Sequence, residues 1–279
     1  MTQLLFAAHA ISVFAAGADR PATADEIWTV LGELNREAQF SPIVARSNFG
    51  PHACTYGGWN ECVKAEGWSC VIVLAKFVDQ KPDPEKWNRA FANYFDLQDR
   101  DYVERVFRLI IGADEDGLGN EVFGKVFLYN QPNLKNNDCE SSEGVDIAWI
   151  RHVESQGTWA MKICDKGWEY PLLGDLDCDD LGDRVSGKMA SFPGLILHEL
   201  MHMDPIGREG TGLHVRDYSS EQNGFDGYGP LQTRKLKNNK NIVTRTNADQ
   251  FRWFAQEYYY SVVCNKNFGP PRNNNASPL

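Results

Sequence analysis

One stretch limits what this chain can fold into: Ser191-Phe-Pro-Gly-Leu-Ile-Leu-His198-Glu199-Leu-Met-His202-Met-Asp204. Apolar residues surround two histidines and an acid, so the segment must be buried and still keep three polar side chains in use. A helix over about 192–203 does both. Positions i and i+4 lie on one helix face a turn apart, so His198 and His202 can reach a single metal ion. Glu199 then points to the same cleft, placed to take a proton from metal-bound water. Leu195, Ile196, Leu197, Leu200 and Met201 supply the apolar flanks. Ser191 is an N-cap, and Pro193 falls in a first turn, where proline is tolerated. The chain has only six histidines (His9, His52, His152, His198, His202 and His214), so a chance His-Glu-x-x-His in an apolar helix should be rare. The plainer alternative is a half-buried helix whose histidines merely hydrogen-bond to neighbours.

A catalytic zinc takes three protein ligands and leaves a position open for water. The metzincin pattern would need Gly and His where Pro205 and Arg208 stand, and His214 has the right type at the wrong spacing. A gluzincin would use a Glu on a downstream helix. Glu221 lies instead in a Ser-Ser-Glu-Gln-Asn-Gly loop, and Glu257 on the last expected helix has no fitting context. An Asp remains. Gly210-Thr211, Asp217-Tyr218, Asp226-Gly-Tyr228-Gly229-Pro and Asn247-Ala-Asp249-x-Phe251-x-x-Phe254-Ala255 follow the histidines, and the turn Ile163-Cys164-Asp-Lys-Gly-Trp168 precedes them. Together these segments resemble the fungal deuterolysin (aspzincin) metallopeptidases, of the lysine-specific metallo-endopeptidase-like superfamily. The resemblance runs from about Trp149 to Cys264. It implies an α+β, zincin-like domain with a small mixed sheet, and a Zn²⁺ held by His198, His202 and an Asp. It also implies Glu199 as general base and Tyr228 as a hydrogen-bond donor to the oxyanion or the substrate backbone.

This chain departs from the family's Gly-Thr-x-Asp-x-x-Tyr-Gly segment. A long insertion separates Gly210-Thr211 from Tyr228-Gly229, and Phe225 stands three residues before Tyr228, where the Asp belongs. Asp217 and Asp226 therefore compete as third ligand. Asp217 is preferred, because Gly227 keeps Asp226 close to a tight turn. Either Asp could instead be a turn-capping side chain, and Tyr228 a packing residue.

The remaining sequence sets the context. With 279 residues and a formal net charge of −10, the chain can bury a sizeable core and makes a poor partner for nucleic acid or an anionic membrane. Residues 1–18 form a short apolar run ending in small residues, which resembles a secretory signal and is too short for a membrane span. It lacks a basic n-region and contains His9, so a buried terminal element is the alternative. The expected protein is secreted, extracellular and monomeric, and acts on a protein or peptide. Seven cysteines (Cys54, Cys62, Cys70, Cys139, Cys164, Cys178 and Cys264) without a Cys-x-x-Cys pair argue against a Cys-ligated zinc. They suggest disulfides with one thiol left over, and Cys164 with Cys178 is the first pairing to expect.

Residues 19–120 form a helical, Cys-containing region, either a pro-segment or part of the same domain. Thr23-Ala-Asp-Glu26 is a capping box opening a helix, and 40–70 reads as irregular and disulfide-pinned. Val71-Ile-Val-Leu-Ala is too short to classify. Helices are expected over 84–95 and 99–111, followed by a loop at 112–119 whose acids lack the register of an EF-hand. Residues 121–268 make the catalytic domain. Strands are expected at 122–129, 145–152 and 158–163, the last as an edge strand able to pair with an extended peptide. An acidic solvated loop spans 175–183 and an exposed basic loop 235–240. A helix over 247–263 is capped by Asn247, with Asp249 complementing its N-terminal dipole. The tail, 269–279, reads as disordered and carries a sequon at Asn275. The competing reading is a secreted zinc-binding surface antigen or scavenger with little peptidase activity, against which the intact Glu199 argues.

Overall fold

The computed structural model describes residues 61–112, 120–129, 139–141, 144–145, 147–219, 224–239 and 242–273. The signal-like run, the capping box, Glu221 and Asn275 lie outside them, as does most of the 112–119 loop. The described chain is α+β. Its helices are α1 (Glu61–Gln80), α2 (Pro84–Tyr94), α3 (Arg100–Ile111), α4 (Phe192–Leu200), α5 (Gly229–Lys237) and α6 (Ala248–Val263).

Helix α6 is the axis of the molecule. All 16 of its residues are buried, which a helix tolerates only when neighbours surround it. Its aromatics meet those of the earlier helices. Phe254 lies edge-on to Trp87, Phe91 and Phe95, with centroids 5.5, 6.0 and 5.6 Å away. Phe251 packs on Phe95 and Phe107, and Tyr258 and Tyr259 on Phe77. These partners come from helices whose sequences place them inward. α2 starts at Pro84 with Asp83 as N-cap, accepting from Lys86 N at 2.9 Å, and buries Trp87, Ala90, Phe91 and Tyr94. α3 buries Val103, Val106, Phe107 and Ile110, the i, i+3, i+4, i+7 stripe of an amphipathic helix. Residues 61–70, expected to be irregular, are instead the first half of α1, and the unclassified Val71–Ala75 run is its buried second half. One hydrophobic cluster joins α1, α2 and α3 to α4 and α6.

The sheet lies beside this helical core. Strand β1 (Val126–Tyr129) follows a 3₁₀ turn, Glu121–Lys125, that Asn120 caps, so the expected 122–129 strand is halved. β2 (Glu140–Ser141) and β3 (Gly144–Val145) form a two-residue ladder. β4 (Ala148–Val153) and β5 (Thr158–Ile163) form an antiparallel hairpin pairing Ala148 with Ile163 and Val153 with Thr158. β1 pairs with β5 in parallel, giving the order β1-β5-β4. The strand expected at an edge is therefore central. Its burial agrees, because Ala160, Met161 and Ile163 are covered on both faces. Among the described residues the outer side of β4 carries no strand.

Disulfides differ from the expected pairing. Cys139 joins Cys164 and Cys178 joins Cys264, with Cα–Cα separations of 5.9 and 5.4 Å. Two 3₁₀ turns, Asp165–Glu169 and Leu173–Asp175, carry Cys178 away from the end of β5 and towards the C-terminus of α6. The start of the expected disordered tail is docked instead. Gly269 bridges to Arg184, and Arg184 Nη1 donates to Pro270 O at 3.0 Å. Residues 235–237 complete α5 rather than forming a loop. Arg234 there reaches Glu257 at 2.5 Å, and Lys237 reaches Asp96 at 2.5 Å.

Candidate metal centre

Helix α4 begins where the sequence places it. Ser191 Oγ accepts from Gly194 N at 3.2 Å, Pro193 sits in the first turn, and every residue from Phe192 to Leu200 is buried. Gly194 lets α4 press on α6, because a Cβ there would lie 2.0 Å from Gln256 Oε1. That oxygen accepts from both Ser191 N and Ser191 Oγ, at 2.9 and 3.0 Å. The helix ends at Leu200, earlier than expected, where its bonds tighten to the i→i−3 pattern, with Met203 N on Leu200 O at 3.1 Å. His202 N nevertheless donates to Glu199 O at 3.1 Å, and the two imidazole centroids are 5.2 Å apart.

The third group arrives from a loop. Arg216 forms a parallel bridge to Asn247, with Arg216 N on Thr246 O at 3.0 Å and Ala248 N on Arg216 O at 3.2 Å. This bridge sets Asp217 against α4. Asp217 Oδ1 is 3.1 Å from His198 Nε2, and Oδ2 is 3.1 Å from His202 Nε2. One ligand atom from each of the three residues falls within a mutual 4.8 Å. Asp226 lies outside this group: its Oδ1 accepts from Tyr228 N at 3.0 Å, a turn-capping bond. Gly227 N donates to Tyr218 O at 2.8 Å, so the insertion closes between Asp217 and Tyr228. Tyr228 stacks on His198, with centroids 5.9 Å apart and planes at 21°.

The surroundings fix the donor chemistry. His198 Nδ1 is 2.8 Å from Asp249 Oδ1, and His202 Nδ1 is 3.4 Å from Val215 O. With N–H at Nδ1, either imidazole in its neutral form turns its Nε2 lone pair to Asp217. Asp217 Oδ1 is buried without a well-aligned hydrogen-bond donor, although His198 Nε2 is so close. Two imidazole lone pairs and a carboxylate that converge in this way could hold a metal ion. Burial opposes charge on His198, yet the carboxylates of Asp217 and Asp249 outweigh it and hold the imidazole pKa well above its usual range. His202 is raised in the same way, against burial, by Asp217. Burial acts to raise Asp217 too, but the two histidines dominate and hold its pKa far below the usual carboxylate range. Glu199 is buried, which raises its pKa, while His198 and His202 pull it back. Burial raises the Tyr228 hydroxyl, and the hydrogen-bonded Asp217 carboxylate raises it further.

Sequence reasoning missed the contact between Asp249 and His198, having assigned that carboxylate to the helix dipole. Asn247 makes no side-chain cap either. Its Nδ2 donates to Gly227 O at 2.9 Å. The Asn-Ala-Asp motif was the available signal for both. His214 is exposed beside Asp204, and Glu257 is spent on Tyr94, Asn93 and Arg234, so neither enters the site. No family model, curated protein or solved structure matches this chain.

Proposed function

We propose that the chain is a zinc-dependent endopeptidase of zincin-like, aspzincin-type build, working outside the cell. The convergence of His198, His202 and Asp217 beside a buried Glu199 carries this reading. A Zn²⁺ held there would polarise the scissile carbonyl and acidify a bound water. Glu199 takes the proton of the attacking water and returns it to the leaving amine, a role suited to a carboxylate whose pKa is raised. Tyr228, whose hydroxyl reaches Asp217 and whose ring covers His198, donates a hydrogen bond to the developing oxyanion. The open side of β4 is the edge on which an extended peptide can lie. Two disulfides fit an oxidising compartment, and no described helix is long and apolar enough to cross a membrane.

The test is casein hydrolysis by wild type and Glu199→Gln at equal zinc content. The expected loss in kcat is about a hundred- to ten-thousand-fold with zinc retained, the range for a general base. Equal activity in the two proteins removes Glu199 from the mechanism. A wild type that holds zinc and cleaves nothing would make the protein a zinc-binding surface antigen instead.

A further inference from the structure

The two histidines are held differently, and the difference leads to a residue that touches neither metal nor substrate. His202 Nδ1 has only a backbone carbonyl at 3.4 Å, and its side chain is 19% exposed. His198 Nδ1 has the carboxylate of Asp249 at 2.8 Å, and that side chain is 1% exposed. Asp249 is also engaged on its other oxygen. Oδ2 accepts from Gly229 N at 2.6 Å and Trp253 Nε1 at 3.0 Å. Arg252 Nη1, 3.6 Å from Oδ1, offsets the cost of burying the charge.

An amide N–H and an indole N–H can only donate, so Oδ2 must accept. Oδ1 then receives the proton of His198 Nδ1, so that in the neutral imidazole Nε2 is the bare nitrogen, facing Asp217. Gly229 sits at φ 80°, in the left-handed region, directly after Tyr228. The carboxylate thus grips the His198 ring with one oxygen, and with the other the backbone that carries the Tyr228 ring stacked upon it.

We propose that Asp249 is a positioning residue: it fixes the tautomer of His198 and anchors the Tyr228–Gly229 turn, so that metal affinity and the placement of Tyr228 depend on one side chain. This rests on the metal-centre reading above. The chemistry of Asp249→Asn shows why the two are linked. An amide offers one acceptor oxygen where three donors now converge. If that oxygen faces Gly229 and Trp253, the NH₂ faces His198 Nδ1, and the imidazole proton is driven to Nε2, the atom that should bind metal. If it faces His198, the NH₂ opposes two other N–H groups and the Tyr228 turn is released.

The experiment uses the full chain as wild type, Asp249→Asn and Ser191→Ala. The last loosens the cap of α4 without touching the centre and so reports plain destabilisation. Zn²⁺ dissociation constants come from competition with a chromophoric chelator, the ligand field from the visible spectrum of the Co²⁺-loaded protein, and stability from metal-free melting. Asp249→Asn is expected to bind Zn²⁺ about ten- to a hundredfold more weakly, the usual effect of losing such a partner, with an altered Co²⁺ spectrum. Ser191→Ala should melt earlier and keep its zinc affinity. Independently of whether the carboxamide folds, ¹⁵N-histidine NMR of the zinc-loaded wild type reads the tautomer directly, with the proton of His198 expected on Nδ1. Unchanged affinity and spectrum in Asp249→Asn, equal weakening in Ser191→Ala, or a proton on Nε2 overturns the proposal alone. A wild type that binds no Zn²⁺ overturns the metal-centre reading and the proposal with it.

Discussion

The centre is assembled from two regions of unlike construction. One is the α4–α6 scaffold, where His198 and Glu199 sit in a helix whose every residue is buried and whose cap, glycine and neighbours are fixed by packing. The other is the segment from Arg216 to Tyr228, which carries Asp217 beside the backbone bridge from Arg216 to Asn247 and is closed by hydrogen bonds from Gly227 N to Tyr218 O and from Asn247 Nδ2 to Gly227 O. The scaffold sits in the main hydrophobic cluster, whereas the segment contributes Tyr218 to a small separate cluster with Leu236 and Ile242. Stability should therefore reside in the first region, and metal affinity should be sensitive to both.

The largest break in that comparison comes from the scaffold. Phe254→Ala removes a fully buried ring that touches Trp87, Phe91, Phe95 and Phe107, and should cost about 3–5 kcal/mol in denaturant unfolding. A cut after residue 120 should be equally harmful, since it strips those partners from α6 and leaves a chain that does not fold cooperatively. The loop region answers differently. Asp217→Asn removes the carboxylate facing both Nε2 atoms and should weaken Zn²⁺ by more than the roughly hundredfold seen for outer partners. Metal-free melting of that variant should lose the part of its pH dependence that Asp217 shares with the two histidines.

The pH dependence sharpens the contrast between metal-free and loaded protein. His198 and His202 have folded pKa values above the 6.5 of a free imidazole, so their contribution to metal-free stability is complete below 6.5 and is lost as pH rises through the folded values. Asp217, whose pKa is lowered, contributes above 3.8 and loses that contribution as pH falls towards its folded value. Zinc needs bare nitrogens, so its stabilising effect has the opposite slope. Melting curves from about pH 5 to about pH 9 should show the metal-free protein weakening while the increment from Zn²⁺ grows. Parallel curves would contradict the assigned donors. The smallest effect is expected for Asn247→Ala, which frees Gly227 O and should cost about 1 kcal/mol of stability. Its kcat should fall with KM nearly unchanged if the Tyr228 turn loosens.

The parts legible in the sequence are those set by short-range physics. α3 and α4 announce themselves by stripe and cap, α2 by Asp83 before Pro84, and β5 by its run of residues 158–163. The misreadings each depended on distant chain. Nothing local says that β1 pairs with β5 and moves the edge to β4, or that Cys139 rather than Cys178 meets Cys164. Residues 61–70 lack an apolar period, and α1 is held by the burial of its second half. At the centre, the histidine spacing is intrinsic to a helix. The choice between Asp217 and Asp226 turned on where the insertion closes, and that of Asp249 on whether its carboxylate serves its own helix end or the His198 ring.

Elemental analysis of zinc in wild type, Asp217→Ala and Asp226→Ala tests the central claim most directly. The account predicts stoichiometric zinc in wild type and in Asp226→Ala, whose carboxylate only caps a turn, and its loss from Asp217→Ala. Zinc retained by Asp217→Ala, or absent from the wild type, would contradict it.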